Sequence, residues 1–415
     1  LKKLILTLFI FSSAITCYSQ WTEQTSGVTT TLYSVSAFDE NNVWVCGAGG
    51  KVLRTTNAGV NWNLSTITGA PDLYVITAID ANTALVSGSA ANTFVYKTTD
   101  GGANWTQVFT QTGGFIDVIA QVQSASQGIF LLGDPVGGRW SFWKSTNNGS
   151  TFDSTGLAYI PQAGSEGGFN NSYAYYRYPS GTDYFWFGTN NTRIYRVSGG
   201  TSYSVETTTG LISVDVIKMG EGVNGFTGGA SMLATNDSGN TWFAYTVPGT
   251  GNITGIFGVT PYVYYCRGTS IYSSTDGGLT YALQYTAPAG TYNHMARGSY
   301  YAWAVRSNGG ISRITNPIGI QNISSEVPAK FRLEQNYPNP FNPSTNIKFD
   351  IPVKTNVKII VTDIIGRTVG ELFNGNVSAG IYETKWDGSN FASGIYFVRM
   401  TTDNYSDTKK IVLLK

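Results

Sequence analysis

The chain of 415 residues is long enough for two or more domains, and 41% hydrophobic content supplies ample core. With 26 Lys and Arg against 25 Asp and Glu, the net charge of +1 gives no electrostatic case for nucleic acid or anionic lipid. Forty-nine glycines, 26 Tyr, 21 Phe and 10 Trp with only 12% charged residues describe a protein of many short strands and tight turns.

The N-terminus carries Lys2 and Lys3, an apolar run from Leu4 to Ile15 and a short polar end. This predicts a signal peptide over residues 1–19, cleaved near Ser19 and too short to span a bilayer. Ala14-Ile15-Thr16 before Cys17 fit a lipidation site poorly, so simple cleavage is expected. Cys46 and Cys266 remain. Each lies a similar distance before a turn signature, so they hold equivalent places in units too far apart for a disulfide, and two buried free thiols are expected.

An octet then recurs: Thr55 to Trp62, Thr98 to Trp105, Ser145 to Phe152, Thr235 to Trp242 and Ser274 to Tyr281. An acceptor stands third (Asn57, Asp100, Asn147, Asp237, Asp276), Gly fifth and an aromatic eighth. An Asp or Asn oxygen can accept backbone N–H bonds two residues on, and Gly supplies a positive φ, so the octet reads as a structural turn. Two copies carry Asn and lack the charge, which favours hydrogen bonding over metal ligation or catalysis.

Eleven residues after Trp62, Trp105, Trp242 and Tyr281, and after Trp21, which has no octet before it, an apolar residue begins a new strand: Leu73, Ile116, Ile253, Tyr292 and Leu32, with further starts near Ser172 and Val214. Seven units with a period near 40 residues and no helical periodicity predict an all-β, seven-bladed β-propeller over residues 20–317. The last unit has three strands and no turn octet, whereas Trp21-Thr22-Glu23-Gln24 resembles a fourth strand. The N-terminal strand is therefore expected to close the ring and remove its free edges. A long connection, residues 153–171, interrupts the pattern and is a candidate binding element, Glu166 included.

Residues 318–329 read as a linker, and residues 330–415 as a small immunoglobulin-like β-sandwich with strands at 346–351, 357–362, 381–386, 395–400 and 409–414. It opens on Asn336, Tyr337, Pro338, Asn339, Pro340, Phe341, Asn342 and Pro343, whose prolines predict an extended start. That motif, with Asp363-Ile364-Ile365-Gly366-Arg367, Ser393-Gly394-Ile395-Tyr396-Phe397 and Lys409-Lys410-Ile411, closely resembles the type A sorting domain of the type IX secretion system. The resemblance implies two-step export, a secreted or cell-surface location, the secretion machinery as a partner, and cleavage or outer-membrane surface anchoring.

The repeats resemble Asp-box (BNR-type) propellers, most of all the photosystem II stability and assembly factor family. Gly133 to Arg139 followed by Gly164-Ser165-Glu166 is similar to a pattern in its bacterial relatives. Such propellers serve mainly as binding scaffolds, and the photosystem role does not carry over to an exported protein. Sialidases share the repeat, but no Arg-Ile-Pro is present and the mature chain has no Arg before Arg54.

A glycoside hydrolase needs two carboxylates facing one cleft. Counting twelve from each aromatic gives Tyr33, Tyr74, Asp117, Asp215, Thr254 and Asn293 around the axis, where Asp117 and Asp215 are the only acids. They are the candidate catalytic residues, and Asp117, Asp215, Asn293 and Glu166 the candidate binding residues. His294, the single histidine, lacks companions at metal-ligand spacing, so no metal or cofactor is expected. The tyrosine-rich runs at 173–178 and 184–187 read as packing between blades. The reading is a monomeric, non-enzymatic exported propeller that binds a protein or glycan. A polysaccharide hydrolase is the alternative.

Overall fold

The computed structural model describes residues 21–122, 128–178, 180–220, 224–259, 262–274, 276–298, 301–315, 320–324, 326–377, 379–388 and 391–415. The expected signal peptide lies outside them.

Seven antiparallel sheets form a propeller, and two more form a sandwich. The inner strands of the blades are Leu32–Ala37, Leu73–Ala78, Ile116–Gln121, Tyr173–Arg177, Val216–Gly220, Ile253–Val259 and Tyr292–Arg297. In the seventh blade the strand Thr22–Gln24 pairs with Ile311–Thr315, in the register Thr22 to Arg313 and Gln24 to Ile311. The N-terminal strand thus completes the ring as expected. Glu23 fixes it: the carboxylate accepts hydrogen bonds from Ser312 Oγ and Tyr285 OH, each at 2.8 Å, and pairs with Arg306, whose side chain is 2% exposed. Trp21 is buried against the sixth and seventh blades.

The third blade has only three strands in its ladder. Its fourth position is filled by the start of the long connection, through bridges from Lys144 to Asp153 and from Arg139 to Pro161. Ile160 is buried there, and its carbonyl accepts from Trp140 N at 2.9 Å. Part of the expected binding loop is therefore a blade edge. Without alternating polarity, residues 153–161 gave no strand signal.

The octets join the third and fourth strands. The third-position oxygen accepts from the backbone four residues on, not two: Asn61 N to Asn57 at 3.0 Å, Asn104 N to Asp100 at 2.9 Å, Thr151 N to Asn147 at 3.0 Å. The reach is longer because two consecutive residues take positive φ, as at Gly101 and Gly102 or Ser238 and Gly239. A second device is the first-position hydroxyl, which accepts from the N–H of the fifth-position Gly at 2.7–3.0 Å in all five copies.

That Gly has a packing reason as well. A Cβ on Gly102 would sit 3.1 Å from Trp44, on Gly239 3.2 Å from Trp186, and on Gly278 2.9 Å from Phe226. Each of those aromatics lies on the second strand of the preceding blade. The turn therefore seats one blade on its neighbour, and the closing aromatics join the same clusters, as Trp105 does edge-on with Trp44. Cys46 and Cys266 are free and buried.

In the sandwich, one sheet orders Ile320–Ser324, Gly380–Asp387, Ser344–Ile351 and Arg332–Leu333; the other orders Thr368–Val377, Thr355–Thr362, Gly394–Thr402 and Ser406–Leu413. Ile320–Ser324, expected within a linker, is an edge strand paired with Gly380–Asp387, and Ile320 is buried in the sandwich core. Strand Thr368–Val377 escapes sequence reading because Gly370, Asn374, Gly375 and Asn376 all disfavour β structure locally. The proline motif does not run extended. It doubles back so that Tyr337 bridges Asn346, with the Asn336 amide donating to Pro338 O at 3.0 Å and Thr345 Oγ1 at 2.8 Å.

The sandwich lies at the channel end where the inner strands finish. Lys354 donates to Phe38 O at 3.3 Å and stands 3.9 Å over the Phe38 ring, and Tyr262 packs on the sandwich core.

Candidate functional site

Five of the six residues counted onto the axial ring share one structural position. Tyr33, Tyr74, Asp117, Thr254 and Asn293 each fall where the ladder of the inner strand skips a residue, a β-bulge at its second position. A bulge changes the direction of the side chain, and two of the five latch the next blade. Thr254 Oγ1 donates to Tyr292 O and Asn293 Nδ2 to Leu32 O, both at 2.8 Å. Tyr33, Tyr74 and Phe115 form a run of half-buried rings with centroids 4.7 Å apart across the first three blades.

The acids behave differently. Asp117 is 6% exposed, its Oδ2 has no hydrogen-bond partner, and burial with the adjacent Asp134 holds its carboxyl well above the usual range. Asp134, which the sequence motif around Gly133 contained but the ring count did not select, is raised by burial and accepts from Gly168 N at 2.7 Å. The carboxyl facing Asp117 is therefore Asp134. Asp215 stands just before its strand, accepts from Asn252 Nδ2 and is pushed up to about 6 by burial.

Residues 162–171 fold over this corner. A Cβ on Gly168 would meet Asp117 Oδ2 at 2.5 Å, so only glycine lets the loop lie so close. Asn171 N donates to Asp117 O at 2.8 Å. Glu166 is buried rather than presented: it accepts from Arg193 Nη1 at 2.6 Å, Tyr195 OH at 2.8 Å and Ala163 N at 3.2 Å. Burial first, then Glu166, pushes the Tyr195 hydroxyl up to about 12. Glu166 is the anchor of the loop, because a buried carboxylate needs this full set of donors.

His294 Nδ1 accepts from Val35 N at 3.2 Å, a bond that joins the seventh blade to the first. Burial pushes the imidazole down to about 4. No group of three or more His, Cys, Asp or Glu among the described residues could hold a metal ion. Tyr175 OH donates to Asp183 at 2.7 Å, and the ring packs with Phe185 in the cluster between the third and fourth blades. Tyr176, Tyr178 and Tyr184 pack with Trp186 between the fourth and fifth. Below the ring opens a channel of about 1760 Å³, walled at its far end by the sandwich.

Residues 16–249 match the family model described as Photosynthesis system II assembly factor YCF48, and residues 335–414 that of the Secretion system C-terminal sorting domain. Among curated proteins, Photosystem II assembly lipoprotein Ycf48 of Synechococcus sp. (strain CC9902) is 28% identical over 111 residues. Those cover 26% of this chain and about a third, 31%, of that relative. Among solved structures, YCF48 bound to D1 peptide aligns at a TM-score of 0.58 and 15% identity over 72% of this chain and 96% of the other. YCF48 from Cyanidioschyzon merolae gives 0.56 at 15% identity, covering 72% and 99%. The WD40 propeller domain of Doa1 gives 0.54 at 11% identity, covering 72% and 97%. At these identities the structures share the fold with this chain.

Proposed function

Since the chain belongs to the Photosynthesis system II assembly factor YCF48 family and ends in a secretion-system sorting domain, we propose that it is an exported binding scaffold whose propeller presents a protein or glycan ligand site outside the cell. The sorting domain implies export to the cell surface through the type IX machinery. The photosystem assembly role of its relatives does not transfer to that location.

The observation that carries the binding reading is the state of the axial acids. A hydrolase would need Asp117 and Asp215 open to one substrate, yet Asp117 is sealed beneath Gly168 and faces Asp134. What remains open at this end is the ring run Tyr33, Tyr74 and Phe115 with the half-buried Asn293, a surface suited to stacking and hydrogen bonding. A propeller of this fold bound to a peptide supports a protein segment as one ligand class.

The full chain is incubated with a panel of polysaccharides and with peptides displayed on a membrane, scoring retention and product release together. Retention without release is expected, and Tyr74→Ala weakens it. Turnover abolished by Asp117→Asn or Asp215→Asn would establish the hydrolase instead. Deleting residues 335–414 is expected to leave the protein inside the cell envelope, read by fractionation.

A further inference from the structure

The channel is charged in a way the whole chain is not. Its lining includes five cations, Arg177, Lys218, Arg297, Lys358 and Lys385, against two carboxylates, Asp276 and Glu371. Both carboxylates are engaged elsewhere. Asp276 Oδ1 accepts from Ser274 Oγ at 2.7 Å and Thr280 N at 2.9 Å, and Glu371 pairs with Lys358 at 3.3 Å. Arg177 is matched by Asp183 at 2.8 Å.

Lys218 and Arg297 have no acid partner among the described residues. They project from the inner strands of the fifth and seventh blades, on either side of the sixth, whose residues Ile256 to Gly258 line the same channel. The area that Lys218 exposes belongs to a side chain lining the channel, and Arg297 Nη1 is buried without a hydrogen-bond partner. Burial first, and then the repulsion of Arg297, pushes Lys218 down to about 8; burial pushes Arg297 down to about 10. The buried, unbonded Arg297 Nη1 carries a desolvation cost that an anion would offset, and the exposed Lys218 adds a repulsion that the same anion would relieve. Asn171, 7% exposed on the same lining, also keeps an unbonded Nδ2 donor.

We propose that the channel between Lys218 and Arg297 is a binding site for a carboxylate-bearing organic ligand. The guanidinium offers a planar fork that matches a carboxylate, and the ammonium adds a point charge two blades away along the wall. The volume exceeds that of a bare ion, and the half-buried lining residues Tyr173 and Tyr262 supply apolar surface for the body of such a ligand. The site rests on the reading of the propeller as a binding body, but its test requires no macromolecular partner.

Titration calorimetry of the full chain with citrate, at ionic strength held constant with chloride, checks it. Saturable one-to-one binding is expected, weakened at least tenfold in Lys218→Gln and in Arg297→Gln and retained in Lys218→Arg, with Lys330→Gln, exposed and outside the channel lining, as a surface-charge control. Folding of each variant is verified by its tryptophan emission. Absence of saturable citrate binding, or equal affinity in wild type and the Lys218→Gln/Arg297→Gln double variant, overturns the site. Retention on the polysaccharide and peptide panel, measured on the same preparations, shows separately whether the scaffold reading stands.

Discussion

Replacing His294 by Asn should flatten the acid limb of the propeller's stability. In the folded protein Nδ1 accepts the Val35 N–H, so the ring must be neutral at that nitrogen and the seam between the seventh and first blades depends on it. Burial lowers the imidazole to about 4 from an ordinary value near 6.5. A depressed folded pKa means that the unfolded chain binds the proton first. The contribution is therefore complete above pH 6.5 and is lost as pH falls from 6.5 to 4. The full shift corresponds to about 3 kcal/mol; because the side chain lines the channel and is only part-buried, about 2 kcal/mol is the expected loss. Asp215, raised to about 6, acts in the opposite sense, its contribution declining as pH rises from 3.8 toward 6. The measurement is therefore a difference between wild type and variant at each pH. Urea unfolding followed by tryptophan emission suits it, since nine of the ten tryptophans precede residue 316 and Trp386 alone lies in the sandwich. Asn keeps an acceptor for Val35 and does not titrate. Curves for the two proteins that stay parallel between pH 7 and 4 would refute the latch.

Three further outcomes test the fold around the site. Glu23→Ala strips the buried Arg306 of its carboxylate and should cost about 3 kcal/mol, read by urea unfolding, whereas Glu23→Gln keeps an acceptor for Ser312 and costs less. Thr98→Val removes the hydroxyl that accepts the Gly102 N–H inside a blade contact and should cost about 2 kcal/mol; Asp100→Asn, which retains the acceptor as Asn57 and Asn147 do, should cost less than Thr98→Val in the same assay. Asp117→Asn should stabilise the protein increasingly as pH rises above 3.8, because a raised folded pKa makes ionisation of the buried acid unfavourable; a melting temperature that changes equally at pH 4 and pH 8 contradicts this.

The eleven-residue interval located the inner strands because the fourth strand and its return connection keep a fixed length, which places Leu32, Leu73, Ile116, Ile253 and Tyr292 at the strand starts. The orphan Trp21 likewise marked a strand without its blade. Period and alternation describe one sheet at a time, and the features they missed lie between sheets. A first-position hydroxyl, that of Thr98 in one copy, stood in every octet, but its value comes from a glycine pressed on the preceding blade. Asp134 became the partner of Asp117 only through the register of adjacent strands, Ile116 opposite Gly133. Glu166, in a loop and charged, looked available to a ligand, and nothing local announced Arg193 and Tyr195 as its donors.

Net charge misleads here for a similar reason. A value of +1 argues correctly against a field that would draw a polyanion to the whole surface. Yet Asp72, Asp117, Asp134 and Asp215 lie level with the starts of the inner strands, while Lys218 stands midway along Val216–Gly220 and Arg297 ends its own strand. Charges on exposed surface are screened over about 8 to 10 Å, so this separation is felt only by a group that enters the channel. Selection inside the ring then depends on the two unpaired cations rather than on the protein as a whole. An uncharged triamide of the same shape as citrate should accordingly fail to bind, whereas a ligand held by shape alone would tolerate the change.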